Sequence, residues 1–186
     1  MLIKTIFSGF GGQGVIMMGY LLAMAGMYEE KNVTCLPSYG AEVRGGTANC
    51  TVVVSDEEIA SPVASEPEFA VLMNNPSLFR FQNQVQSGGA IFLNSSMIES
   101  RPIRGDLDVY AVPANDLARE LKEDKVTNMI MLGAFIRKTG LVSLETMNLV
   151  LKDTFAAKNP AIVKLNKSAL LVGYNYLERE ENSNAG

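Results

Sequence analysis

Apolar residues in the first half of the chain fall into short runs separated by turn residues, and beyond Pro113 they recur at spacings of three and four. Residues 2–7 are apolar apart from Lys4, which predicts a strand that ends at Ser8 and gives way to a tight turn over the glycine-rich residues 9–14. Residues 15–30 carry Leu, Met, Ala and Tyr almost all round, the composition of a helix buried against a sheet. Asn32 closes it. Further strands are expected at residues 33–36, 47–54, 69–73, 90–93 and 109–112, with β-branched residues marking 47–54 and continuous apolar character marking 69–73. Residues 37–46 form a loop dense in Pro, Ser, Tyr and Gly, residues 55–57 a turn, and residues 59–67 an irregular crossing.

Asn75 followed by Pro76 opens a helix, because Asn accepts a backbone N–H at the cap and Pro at the first position sacrifices no bond; Asn159 and Pro160 repeat the signal. Later helices are expected at residues 116–122, 126–139 with Gly140 as the stop, 144–157 and 161–181. The last buries one face through Ile162, Leu165, Ala169, Leu170, Val172 and Leu177. Residues 182–186 read as a polar tail. The order of elements predicts one α/β domain over residues 1–181, three layers (α/β/α) around a mixed, mostly parallel sheet, with the late helices covering its faces.

Composition then narrows the chemistry. With 186 residues, 47% of them apolar, the chain can bury a single substantial core. It has no His, which removes imidazole from catalysis and metal binding, and its two Cys cannot furnish the thiolates of an iron–sulfur cluster. A Ser-His-Asp triad, a Cys-His dyad and an ordinary zinc site are not expected. Cys35 and Cys50 share no CxxC spacing and are read as reduced, inert thiols. A formal net charge of -4 offers no basic field to a phosphate backbone, so nucleic acid is not an expected partner. The apolar stretch 15–28 is interrupted by Gly19 and Gly26 and is shorter than the ~18 residues a membrane span requires. What precedes it lacks the basic region of a signal peptide, so we expect a soluble, cytoplasmic protein with no membrane partner.

Two segments carry candidate chemistry. Gly9, Gly11 and Gly14 match G-x-G-x-x-G at a strand-to-helix turn, where glycine lets backbone approach a ligand and free helix N–H groups attract an anion. A dinucleotide site also needs an acidic residue at the end of the second strand, and Leu36, Pro37 and Ser38 stand there instead. Glu29 and Glu30 come too early, on the last turn of the first helix. The same glycines can equally serve a sharp turn and close helix–strand packing. The second segment runs from Pro37 through Ser38, Tyr39, Gly40, Ala41, Glu42, Val43 and Arg44 to Gly45 and Gly46, a loop with a variety that simple connections seldom need. In a doubly wound sheet it would leave its strand beside the glycine turn. Arg44 suits a carboxylate or phosphate, Tyr39 can stack, and Gly45 with Gly46 permits close approach; alternatively Glu42 and Arg44 form a salt bridge and the glycines serve turn geometry. Met17, Met18, Met24, Met27, Met129 and Met131 read as core filler, Lys122, Lys125, Arg137 and Lys138 as solvated charges, and Asn74 as turn chemistry.

The turn Gly9-Phe10-Gly11-Gly12-Gln13-Gly14 together with Ser38-Tyr39-Gly40-Ala41-Glu42-Val43-Arg44-Gly45-Gly46 resembles the gamma subunit of 2-oxoacid:ferredoxin oxidoreductases. The likeness continues through Ile59-Ala60-Ser61-Pro62 and residues 128–133, and Ala41 stands where many relatives carry Pro. The resemblance implies one part of a complex in which a 2-oxoacid, 2-oxoglutarate or a branched-chain acid, is oxidatively decarboxylated to acyl-CoA with ferredoxin as electron acceptor. It implies alpha, beta and delta partner subunits that hold thiamine diphosphate, Mg2+ and the iron–sulfur clusters, none of them held by this chain alone. It further implies coenzyme A as co-substrate, an ability to pair as a homodimer when isolated, and a binding role for Gly9, Gly11, Gly12, Gln13, Gly14, Ser38, Tyr39, Gly40, Glu42, Arg44, Gly45 and Gly46. No residue is assigned to catalysis or metal binding. A stand-alone nucleotide-binding α/β protein and a structural adaptor without ligand contact are the competing readings.

Overall fold

The computed structural model describes residues 1–40, 46–155 and 159–184, with side chains described as far as residue 177. Strands β1 (Leu2–Phe10), β2 (Asn32–Tyr39), β3 (Thr47–Ser55), β4 (Phe69–Leu72), β5 (Ala90–Asn94) and β6 (Asp108–Val112) form one sheet in the order β2-β3-β1-β4-β5-β6. β1, β4, β5 and β6 pair in parallel, whereas β3 is antiparallel to both β1 and β2, so the sheet is mixed and mostly parallel as expected. β1 runs two residues beyond its expected end at Ser8, because its register with β3 continues from Leu2↔Ser55 to Phe10↔Thr47 and draws Gly9 into the strand.

Helices α1 (Val15–Tyr28), α3 (Ala114–Glu120), α4 (Thr127–Thr139), α5 (Leu144–Phe155) and α6 (Pro160–Asn184) gather on one face of the sheet; a 3-10 turn, Asp124–Val126, leads into α4. Among the described residues, the other face carries only α2 (Asn75–Phe81) and the chain around Val85, Ile98 and Leu107. The late helices therefore cover one face, not both. α6 extends to Asn184, past the end its pattern predicted, and Gly140 ends α4 at φ 58 as expected.

The larger core centres on Phe135 of α4, whose ring meets Phe7, Phe69 and Phe92 edge-on at 5.7, 5.7 and 5.3 Å. Met18, Met129 and Met131 are buried as filler, but Met27 lies on the surface. α4 and α6 cross with their backbones in contact. A Cβ on Gly133 would lie 2.0 Å from the Leu170 carbonyl oxygen, and one on Gly173 only 1.8 Å from that of Ile130.

The thin face is closed by a local ion pair. Arg104 binds Asp106 through two nitrogens and also donates to the carbonyls of Gln82 and Val85, tying the loop before β6 to the end of α2. The Arg104 guanidinium holds the Asp106 carboxyl down to about 2. Because the folded chain favours the charged form, this contribution is complete above about pH 4 and lost as pH falls toward 2. Asp106→Asn should make the thermal midpoint less dependent on pH across that window, by a small amount because the pair faces solvent; a melting series from pH 5 to pH 2 checks it.

Candidate functional site

The parallel strands end together at one edge, and the glycine turn sits there between β1 and α1. Gly12 (φ 97) and Gly14 (φ 74) take the left-handed backbone that favours glycine, with Gly14 as the cap residue of α1. Gly14 also has no room for a side chain: a Cβ would lie 2.3 Å from Asn128 Nδ2, which itself stands 3.4 Å from the Gly14 carbonyl. The first N–H groups of α1 remain without helical acceptors, a favourable seat for negative charge.

Gln13 turns its polar end back into the protein. Its Oε1 accepts from Phe10 N at 2.6 Å and from Asn74 Nδ2 at 2.9 Å, so the side chain fastens the end of β1 to Asn74, two residues past β4. Asn74 is itself the cap of α2, accepting from Ser77 N at 2.9 Å, where the sequence pattern placed Asn75. Beneath them the buried hydroxyls of Ser8 and Ser77 are 2.9 Å apart. Asn74 thus does more than form a turn.

Beside this network opens a cavity of about 130 Å³, lined by Gly12, Gln13, Asn115, Lys125, Thr127 and Asn128 among others. Asn115 accepts from the buried Asn94 Nδ2 at 2.7 Å, which steadies it at the mouth. Lys125, read from sequence as a solvated charge, stands on this rim. Sequence reasoning missed Asn115, Lys125, Thr127 and Asn128 as a group because they lie more than 100 residues from the turn they face.

The second predicted segment comes to the same edge by a route the doubly wound expectation did not include. β2 is an edge strand of the sheet, and β3 returns antiparallel between it and β1. Gly40 N donates to Thr47 O at 2.7 Å at the base of the hairpin, and Gly11 N donates to Gly46 O at 2.9 Å, joining the hairpin loop to the glycine turn directly. Ser38, Tyr39 and Gly40 are exposed, Tyr39 at 71%. Glu42, Arg44 and Gly45 lie outside the described residues, as does their expected salt bridge. Glu29, which caps α1, is occupied elsewhere: it accepts from Ser143 N at 2.7 Å and Lys31 Nζ at 3.0 Å. Burial pushes its carboxyl up, but those bonds outweigh it and leave it below the usual range.

The pyruvate ferredoxin/flavodoxin oxidoreductase family model matches residues 4–176, and the match includes both the glycine turn and the hairpin loop. The chain belongs to this family. Ketoisovalerate oxidoreductase subunit VorA of Methanothermobacter thermautotrophicus is 36% identical over 173 residues, 92% of this chain but 35% of VorA, so the chain spans about a third of that relative's length. The gamma subunit of a keto/oxoacid ferredoxin oxidoreductase from Geobacter sulfurreducens superposes at a TM-score of 0.79 and 26% identity, covering 93% of this chain and 96% of its own. A 2-oxoglutarate:ferredoxin oxidoreductase from Magnetococcus marinus, solved with 2-oxoglutarate, coenzyme A and succinyl-CoA bound, shares the fold at a TM-score of 0.85 and 24% identity over 92% of this chain and 30% of its own. The resemblance read from the two motifs therefore holds, and in extent the chain corresponds to a gamma subunit.

Members of this family are oxidoreductase subunits. Among the described residues no three His, Cys, Asp or Glu side chains converge as a metal-binding group, and two cysteines cannot furnish the four thiolates of an iron–sulfur cluster. No described helix is long and apolar enough to cross a membrane.

Proposed function

We propose that this chain is the gamma component of a cytoplasmic 2-oxoacid:ferredoxin oxidoreductase, with 2-oxoglutarate as the preferred acid. The complex would convert 2-oxoacid and CoA to acyl-CoA and CO2, passing the electron pair to ferredoxin. Alpha, beta and delta partners would carry thiamine diphosphate, Mg2+ and the iron–sulfur clusters. This chain would contribute assembly contacts through the hairpin loop and CoA contacts through the glycine turn.

The observation that supports the reading is the Gly11 N to Gly46 O bond, which joins the last residue of the second motif to the glycine turn at the carboxyl edge of the parallel strands, where ligands gather in sheets of this kind. Polar chemistry along that surface suits an anion. The cavity beside the start of α1 carries Lys125 together with Asp124 and the amides Gln13, Asn115 and Asn128, and a CoA phosphate seated there would pair with Lys125 and the glycine-turn backbone. The exposed Tyr39 lies on the same edge and offers a stacking face for an adenine ring.

Affinity purification of the tagged chain from its own organism should recover larger thiamine- and cluster-bearing chains with 2-oxoacid-dependent ferredoxin reduction, while the chain expressed alone should be colourless and inactive. In the isolated chain, millimolar CoA should raise the thermal midpoint, and Lys125→Ala should weaken that response about tenfold in half-saturating CoA. Recovery of partners with no CoA response would favour a purely structural adaptor; a chain that binds nucleotide and never recovers partners would refute the gamma assignment.

A further inference from the structure

Cys35 and Cys50 are fifteen residues apart and share no redox motif, yet the fold brings their sulfurs to 3.4 Å. The strand register explains the meeting. Cys35 of β2 lies opposite Val52 and Cys50 of β3 lies opposite Pro37, so the two are diagonal neighbours on the face that α1 covers. Their surroundings differ sharply. Cys50 is fully buried, and α1 presses on it so closely that a Cβ on Gly19 would fall 2.4 Å from its sulfur. Cys35 is exposed on an edge strand of the sheet.

A solvent-reachable thiol therefore touches a sealed one. Because Cys35 reaches solvent and Cys50 does not, Cys35 is the partner that carries negative charge at lower cost, and the shared hydrogen bond draws its thiol down against the upward push of burial. Donating that bond, together with burial, pushes the Cys50 thiol up and keeps it protonated. This is the asymmetry of an attacking and a resolving cysteine.

We infer that Cys35 and Cys50 form a reversible modification site, at which a hydroperoxide converts the dithiol into an intramolecular disulfide. The Cys35 thiolate attacks one peroxide oxygen and the O–O bond breaks. The other oxygen leaves with a proton as water or alcohol, and Cys35 becomes a sulfenic acid. Cys50 sulfur then attacks the Cys35 sulfur; the S–S bond forms, the S–O bond breaks, and the sulfenic oxygen departs as water with the Cys50 proton. Two thiols lose two electrons and one peroxide gains them. The sulfurs must close by about 1.4 Å to reach a normal S–S length, a movement available to the exposed Cys35 side chain while Cys50 stays in place. The bond would staple the base of the hairpin whose loop adjoins the glycine turn, and the inference stands whether or not that loop meets CoA.

Full-length chain, reduced and freed of reductant, is treated with hydrogen peroxide at pH 7, alkylated with N-ethylmaleimide after denaturation, and mapped by peptide mass spectrometry. The expected result is an intact mass lowered by about 2 Da without alkylation, a Cys35–Cys50 linked peptide, and recovery of both alkylatable thiols with dithiothreitol. Cys50→Ser should instead accumulate a dimedone-reactive Cys35, and Cys35→Ser should leave Cys50 unoxidised. Two free thiols after peroxide, or oxidised Cys35 with Cys50 still free, would overturn the proposal. The wild-type map is decisive by itself, so a variant that fails to fold leaves the test intact.

Discussion

Gly133→Ala should lower stability by about 2–3 kcal/mol, despite the ~1 kcal/mol that alanine gains over glycine within a helix. The methyl group would sit 2.0 Å from the Leu170 carbonyl oxygen, which is backbone and cannot rotate aside. α4 and α6 must separate, and the separation is felt along the seam. Arg137 on α4 lies over the Tyr174 ring of α6 at 5.4 Å, and Phe135 anchors the aromatic cluster between α4 and the sheet. For a chain of this length the melting temperature should fall by about 5–10 °C. Gly173→Ala meets the Ile130 carbonyl at the same crossing and should behave alike, with the double variant costing less than the sum because both open one seam. Gly105→Ala, with nothing within 4 Å of its added methyl, should leave the midpoint unchanged and serves as the control. The site should feel the change too, since Thr127 and Asn128 on the first turn of α4 line the cavity.

Asn74→Ala should cost about 2–3 kcal/mol, while Asn75→Ala stays within about 0.5 kcal/mol. Asn74 is 2% exposed and makes two bonds: Oδ1 accepts from Ser77 N to cap α2, and Nδ2 donates to Gln13. Truncation leaves a buried Ser77 N–H without its partner and frees one anchor of the glycine turn. Asn75 carries a buried side-chain oxygen with no partner, so truncating it breaks no hydrogen bond of that oxygen. Urea midpoints of the two variants, read against wild type, separate the positions.

That pair of asparagines illustrates how far the sequence could be read. Asn-Pro correctly announced a helix, because capping and the fixed backbone of proline are local effects; which Asn caps depends on where β4 ends and Gln13 waits, and that is tertiary. The six strands, the glycine turn and the Gly140 stop were likewise legible from short-range pattern. The antiparallel return of β3 was not, since a hairpin and a crossover can present the same alternation until the pairing partner is known. The cavity residues Asn115, Lys125, Thr127 and Asn128 and the Cys35–Cys50 contact were hidden for the same reason, being joined only by the sheet order and the packing of α4. The family motifs were recognisable as sequence and were expected beside one another, but the hairpin that brings them together and the Gly11–Gly46 bond that joins them are properties of the fold.

The central claim is that the hairpin loop and the glycine turn act together in a multi-subunit 2-oxoacid:ferredoxin oxidoreductase. Its most direct test is Arg44→Ala in a complex reconstituted with the alpha, beta and delta chains, with subunit stoichiometry and CoA kinetics measured on the same preparation. Losing a charge-assisted phosphate or carboxylate contact should raise the KM for CoA about tenfold, or weaken incorporation of this chain to a comparable degree. Unchanged assembly together with an unchanged KM for CoA would contradict the account.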